Sequence, residues 1–81
     1  MKVFITGASS GIGEALAYEY AKRYQNEGVL IGLAARRSEY LQLLQQTLET
    51  CYNIKCAIYP LDVRDSVALA TAANDFIQKF G

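Results

Sequence analysis

The sequence predicts an α/β fold built around a parallel sheet, and three observations predict it. Short apolar runs alternate with longer amphipathic stretches, three of each, along 81 residues. The middle run, Val29–Ala35, reads Val-Leu-Ile-Gly-Leu-Ala-Ala without a polar side chain, the pattern of a strand buried on both faces. A glycine-rich octet, Thr6-Gly7-Ala8-Ser9-Ser10-Gly11-Ile12-Gly13, joins the first run to the first amphipathic stretch. Alternating strands and helices with buried strands are satisfied by parallel pairing through helical crossovers.

The first strand, β1, is Lys2–Thr6. The first helix, α1, is predicted over Ile12–Asn26, with an apolar stripe at Leu16, Ala17, Tyr20, Ala21 and Tyr24. Glu14, Tyr18 and Lys22 recur every four residues on what reads as its outward face. Gly28 ends the helical region. Val29–Ala35 is β2, and Ser38 is placed to cap α2, Glu39–Thr50, with Leu41, Leu44 and Leu48 facing inward. Ile54–Pro60 is β3. Asp65 or Ser66 caps α3, whose inner side is expected to carry Leu69, Ala73, Phe76, Ile77 and Phe80. No repeat, linker or low-complexity segment interrupts the pattern, so residues 1–81 read as one segment. The whole is half of a Rossmann-type doubly wound parallel sheet, strand order 3-2-1, lacking β4 onward.

Composition narrows the function. An apolar content of 52% belongs to a folded segment, not a disordered tail. Net charge is zero and the basic residues do not cluster beyond Arg36-Arg37, so nucleic acid is not an expected partner. No apolar run reaches the length of a membrane span, and the residues before Gly7 are too few for a secretory leader. Two cysteines, Cys51 and Cys56, with no Cys-x-x-Cys and no histidine, make a metal site unexpected and suggest reduced thiols in the cytoplasm. Without histidine there is no Ser-His or Cys-His nucleophile.

The octet carries the chemistry. A helix N-terminus offers N–H groups without intrahelical partners and partial positive charge, and glycine removes the Cβ that would keep a phosphate away. The spacing is Gly-x-x-x-Gly-x-Gly, with Glu14 and Ala15 where a Walker loop would need Lys and Ser or Thr. Led by Thr6, this octet resembles the cofactor loop of the short-chain dehydrogenase/reductase family in its main branch. The resemblance implies a Rossmann fold, a nicotinamide cofactor, and oxidation or reduction between an alcohol and a carbonyl. It assigns Gly7 to the turn out of β1. Ser9 falls to the adenosine ribose or its 2′-phosphate, and Ser10 to the phosphates or the helix cap. Gly11, Ile12 and Gly13 fall to the pyrophosphate crossover. Leu61-Asp62-Val63 resembles the family's Asp-Val motif, with the Asp62 carboxylate on the adenine amino group and Val63 against the ring.

One position selects the cofactor. A dinucleotide fold that prefers NAD(H) carries an acidic residue roughly 20 residues past the glycines, on the ribose hydroxyls. The corresponding strand end here is Ala35, followed by Arg36 and Arg37. A guanidinium binds a 2′-phosphate where a carboxylate would repel it, so NADP(H) is expected, with Arg36 first on the phosphate.

Tyr18-Glu19-Tyr20-Ala21-Lys22 has the Tyr-x-x-x-Lys spacing of the family's catalytic pair. In the family that pair lies much later, after the fifth strand, so here it reads as a polar helix face. The resemblance covers the whole chain but only the first third of a usual family member. The catalytic Ser, Tyr and Lys and the Asn-Asn-Ala-Gly motif are not in it. The chain is therefore expected to be the NADP(H)-binding N-terminal part of a short-chain oxidoreductase, inactive alone. A non-catalytic NADP(H)-binding or regulatory module, or a truncated inactive product, is the alternative. Because β4 would pair with β1, the outer edge of β1 is expected to self-associate or to dock onto a missing C-terminal half.

Overall fold

A computed structural model describes residues 2–7 and 11–80 of the chain. The elements follow in the expected order: β1 (Lys2–Thr6), α1 (Gly11–Tyr24), β2 (Leu30–Ala35), α2 (Ser38–Tyr52), β3 (Lys55–Pro60) and α3 (Ser66–Phe80). The three strands form one parallel sheet with β2 in the middle. The expected 3-2-1 order is thus the observed one, and the βαβαβα half of a doubly wound sheet is present.

Side chains alternate across the sheet, and each face has its own cover. Ile5 from β1, Ile31, Leu33 and Ala35 from β2 and Cys56 from β3 pack with Ala17 and Ala21 of α1 and Leu41, Leu44 and Leu48 of α2. The opposite face carries Phe4, Gly32 and Tyr59 under α3. The Phe4 ring lies 5.7 Å from Phe76 and 5.8 Å from Tyr59, centroid to centroid. Two helices on one face and the third on the other is the arrangement in which the chain crosses over the sheet after β3.

Gly32 makes this second face possible. Phe4 is its register partner across the ladder. A Cβ at Gly32 would come within 2.8 Å of Phe4 Cδ1 and 3.1 Å of Phe76 Cδ1. The absent side chain is the space into which both rings settle.

Helix boundaries and faces differ from expectation in instructive places. α1 stops at Tyr24, two residues before Asn26, and the chain leaves through a turn that ends at Gly28 with φ 69°. Ser38 is the first helical residue of α2; Arg37 stands at the N-cap and makes no capping bond. Asn53, left-handed at φ 53°, closes α2. For α3 the Asp65 expectation holds: its Oδ1 accepts the Ala68 N–H at 3.1 Å. The inner face of α3 is set by Ala72 and Phe76, whereas Ile77 is 58% exposed. Ile77 follows Phe76 by 100° around the helix, and a single strand-facing line has no room for both. The Phe80 side chain lies outside the described residues.

The largest correction concerns α1. Leu16, expected inside, is exposed, while Tyr18 and Glu14, expected outside, are partly buried. The reason is α2, which packs alongside and gives α1 a second neighbour. Tyr18 meets the Tyr52 ring edge-on at 6.3 Å, and the Tyr40 hydroxyl donates to the Glu14 carboxylate. Glu19 does form the expected surface pair, with Arg23 at 2.8 Å.

Two predictions come from this packing. Gly32→Ala forces Phe4 and Phe76 apart and should lower unfolding stability by about 1–3 kcal/mol, read as a shift in denaturant midpoint with unchanged slope. An unshifted midpoint would show that the rings are not close-packed. The second concerns alkali. The Tyr40 hydroxyl is pushed up to about 12 by its bond to Glu14 and by burial, and Tyr59 to about 12 by burial and its bond to Asp75. Burial, then Glu49, pushes the Cys56 thiol up to about 12. Folded values above the unfolded ones mean that the protonated forms stabilise the fold. That contribution is complete below the ordinary values of 9 and 10 and is lost as pH rises through 12. Phenolate absorbance from these two tyrosines should therefore appear together with loss of helical circular dichroism. Ordinary titration near 10, before unfolding, would count against it.

Candidate functional site

Parallel pairing brings the carboxyl ends of all three strands to one edge of the sheet, and the candidate residues with them. Gly7 leaves β1 with φ 67°, a backbone conformation suited to glycine, and its N–H donates to the Ala34 carbonyl at 2.9 Å. The Leu61 N–H donates to the Ala35 carbonyl at 2.9 Å. These two bonds extend the ladder one step past the strands on either side of β2. The chain segments after β1, β2 and β3 consequently surround a single open cavity of about 380 Å³, lined by Gly7, Ala35, Arg36, Arg37, Asp62, Val63 and Arg64.

Of the residues singled out in the sequence, the structure gathers Gly7, Arg36, Arg37, Asp62 and Val63 around this cavity. Gly11, Ile12 and Gly13 form the first turn of α1, with Gly13 buried and Ile12 79% exposed. Among the described residues, no atom lies within 4 Å of a Cβ built on Gly11, its chain neighbours and its own helix backbone aside. Ser9 and Ser10 lie outside the described residues.

Charge in the cavity is organised around Asp62. Its Oδ2 accepts Arg36 Nη2 at 2.7 Å and Arg64 Nη2 at 3.0 Å. Its Oδ1 accepts the Arg64 backbone N–H at 2.9 Å and Arg64 Nε at 3.2 Å. The Asp62 carbonyl also accepts the Asp65 N–H at 2.9 Å, so Asp62 opens the tight turn that leads into α3. The carboxylate thus has both the turn role and a position facing the cavity. Arg37 makes no ion pair among the described residues. Three guanidinium groups against one carboxylate give the lining an excess of two positive charges.

Arg64 is the lining residue that the sequence did not announce. Its only signal was its place two positions after Asp62, where an aspartate at the start of a turn receives a backbone N–H. The Tyr18–Lys22 spacing does not produce a second site. Burial and the nearby Glu14 push the Tyr18 phenol up, opposite to what an activated tyrosine requires, and Lys22 is exposed. Among the described residues there is no group of His, Cys, Asp and Glu side chains that could hold a metal, and no helix is long and apolar enough to cross a membrane.

A strand–glycine turn–helix unit, followed by a cationic cavity at the sheet's carboxyl edge, can be set beside known proteins. The profile of the short chain dehydrogenase family matches residues 1–81. The chain belongs to the short-chain dehydrogenase family. It is 39% identical over 79 residues to 11-beta-hydroxysteroid dehydrogenase-like 3 of Arabidopsis thaliana, covering 98% of this chain and 24% of that protein. It is 38% identical over 84 residues to dehydrogenase/reductase SDR family member 7 of Homo sapiens, covering 100% of this chain and 24% of that protein. Among solved structures, L-sorbose reductase from Gluconobacter frateurii, complexed with NADPH and L-sorbose, superposes with a TM-score of 0.85 at 30% identity. That match covers 99% of this chain and 29% of the reductase. A short-chain dehydrogenase from Sphingobium yanoikuyae in complex with NADPH gives a TM-score of 0.75 at 33% identity, over 86% of this chain and 26% of that enzyme. The chain thus spans about a quarter of the length of the short-chain dehydrogenases it matches.

Proposed function

We propose that this chain is the adenosine-binding part of an NADP(H)-dependent short-chain oxidoreductase that interconverts an alcohol and a carbonyl. The observation that carries the reading is Arg36. It leaves β2 at the lip of the cavity, 57% exposed, where a dinucleotide fold selective for NAD(H) needs a carboxylate. Arg36 and Arg37 take the 2′-phosphate, whose charge the cavity's cationic excess complements. Asp62 and Val63 take the adenine. Gly7 makes the turn out of β1, Ser9 takes the adenosine ribose or its 2′-phosphate, and Gly11, Ile12 and Gly13, with Ser10, take the phosphates at the start of α1, where glycine lets backbone approach an anion. The NADPH complexes of two structural relatives support the same cofactor. When bound, NADP(H) supplies or accepts the hydride; the residues named here bind and orient it. No proton transfer is assigned to them, so the chain alone is expected to turn nothing over, and Tyr18→Phe is expected to leave cofactor binding unchanged.

Binding by the chain tests the assignment. Arg36→Gln should weaken NADPH by about tenfold or more, the worth of a charge-assisted hydrogen bond, and leave NADH within about twofold. NADPH fluorescence on titration reads both. Equal losses for the two nucleotides, or none, would remove Arg36 from the phosphate and with it the NADP(H) preference.

We further infer that β1 is the associating edge of the sheet. The edge at β3 is guarded: the Cys56 N–H donates to Glu49 at 3.0 Å, and its carbonyl accepts Gln45 Nε2 at 2.6 Å, both from α2. β1 pairs with β2 alone among the described strands. An unguarded apolar edge pairs with a further strand, and in the isolated chain a second copy is the strand available. Sedimentation should show mass rising with concentration; a monomer throughout, unfolding in one step, would refute it.

A further inference from the structure

Four donors reach the Asp62 carboxylate, and they are unequal. Arg64 supplies three, through Nε, Nη2 and its own backbone N–H, while Arg36 supplies one, through Nη2 at 2.7 Å. A carboxylate has about four lone-pair sites, so Asp62 is saturated. An adenine amino group can reach it only by replacing a donor. A phosphate can engage Arg36 fully only by drawing it off Asp62. One exchange meets both demands, because Arg36 holds by a single contact and Arg64 by a fork anchored through its backbone. The exchange leaves the Asp62 charge close to a phosphate dianion, a repulsive pair unless a cation stays on the carboxylate.

We propose that Arg64 is a specificity-determining positioning residue: it keeps Asp62 oriented and neutralised while Arg36 transfers from Asp62 to the 2′-phosphate. The proposal rests on the assignment of Arg36 above. It explains why two arginines converge on one exposed carboxylate. Arg64 is 77% exposed, and a pair so solvated adds little to folding. Its value lies in what happens when Arg36 departs. A ligand without the 2′-phosphate does not draw Arg36 away, so Asp62 stays closed to its adenine. Selection for the phosphate thereby extends to the base.

The test uses two probes that contain only the adenosine side, adenosine 2′,5′-bisphosphate and 5′-AMP. Each is titrated calorimetrically into the wild-type chain, Arg64→Gln, Asp62→Asn, the double variant and Arg36→Gln. Arg64→Gln should weaken the bisphosphate by about three- to tenfold, as expected for loss of a partly screened charge pair, and 5′-AMP by less than about twofold. In the Asp62→Asn background the same substitution should change bisphosphate affinity by less than about twofold, because no carboxylate remains to neutralise. An equal loss in both backgrounds would make Arg64 a direct phosphate contact or a support of the loop, and would overturn the proposal. So would an Arg64→Gln variant indistinguishable from wild type while Arg36→Gln loses the bisphosphate; that result spares the Arg36 assignment. A wild-type chain that binds both probes equally overturns both. Nitrogen-15 spectra give a second readout: the Arg64 Nε–H signal should remain hydrogen-bonded at saturation with the bisphosphate, and its release would refute the proposed hold on Asp62.

Discussion

The strand Leu30–Ala35 is hydrogen-bonded on both sides and covered on both faces, and the rest of the structure is referred to it. Its sequence satisfies three separate demands. Ile31, Leu33 and Ala35 fill the face under α1 and α2; Gly32 leaves room for Phe4 and Phe76 on the other; the Ala34 and Ala35 carbonyls extend past the ladder to hold Gly7 and Leu61. The last of these connects packing with chemistry. The turns that line the cavity are hydrogen-bonded to the end of the central, buried strand, so Gly7, Arg36 and Asp62 share one scaffold although each lies in an irregular segment. Loops positioned by a rigid scaffold are where binding residues are expected.

Stability does not account for the charges at that edge. Exposed ion pairs contribute about 0–1 kcal/mol, and the Arg36, Asp62 and Arg64 side chains are all more than a third exposed. The lining is uneven as well: it carries three guanidinium groups and one carboxylate, and two of the three, Arg36 and Arg64, pair with it. An ion-pair network built for the fold would balance its charges. The lining as a whole has an excess of two positive charges, a field that favours an anion over a cation. Asp62 and Asp65 divide their roles in the same region. Asp65 performs the local task of capping α3, leaving Asp62 to face the cavity while starting the turn.

Much of this was legible in the sequence, and the exceptions share a cause. Strand positions came within one residue because β2 is apolar throughout and because Gly28 marks the break before it; the left-handed Asn53 that precedes β3 carried no such reading. The inner face of α2, Leu41, Leu44 and Leu48, was readable because α2 packs on the sheet with one leucine face. α1 was misread because periodicity assumes one buried face, whereas α1 touches both the sheet and α2; small residues, Ala17 and Ala21, take the sheet contact and tyrosines take the flank. At the cavity, the places of Gly7 and Arg36 were legible from local chemistry at a strand end, while Gly11 and Gly13 fall in the first turn of α1. Arg64 was not, since its meaning depends on a partner, Arg36, that lies 28 positions earlier in the chain and meets it only on Asp62.

The two edges of the sheet complete the argument about how this segment is used. Edge strands expose backbone donors and acceptors that proteins manage explicitly. At β3 the management is local: Gln45 and Glu49, one turn apart on α2, reach over and occupy the Cys56 carbonyl and N–H. They close the edge with side chains from the element that precedes it. The buried residues of α1, beside β1, are Gly13, Ala17 and Ala21, which carry no polar side chain to reach a strand edge. Phe4, central to the α3 face, sits on that same strand. Side chains of α2 thus occupy backbone groups at the β3 edge, and β1 is the other edge strand of the described sheet. It is also on the β1 side that Gly7 and the first turn of α1 lie. A strand added there would extend the carboxyl edge away from the arginines and past Gly7, and in open α/β sheets it is along this carboxyl edge that ligands bind.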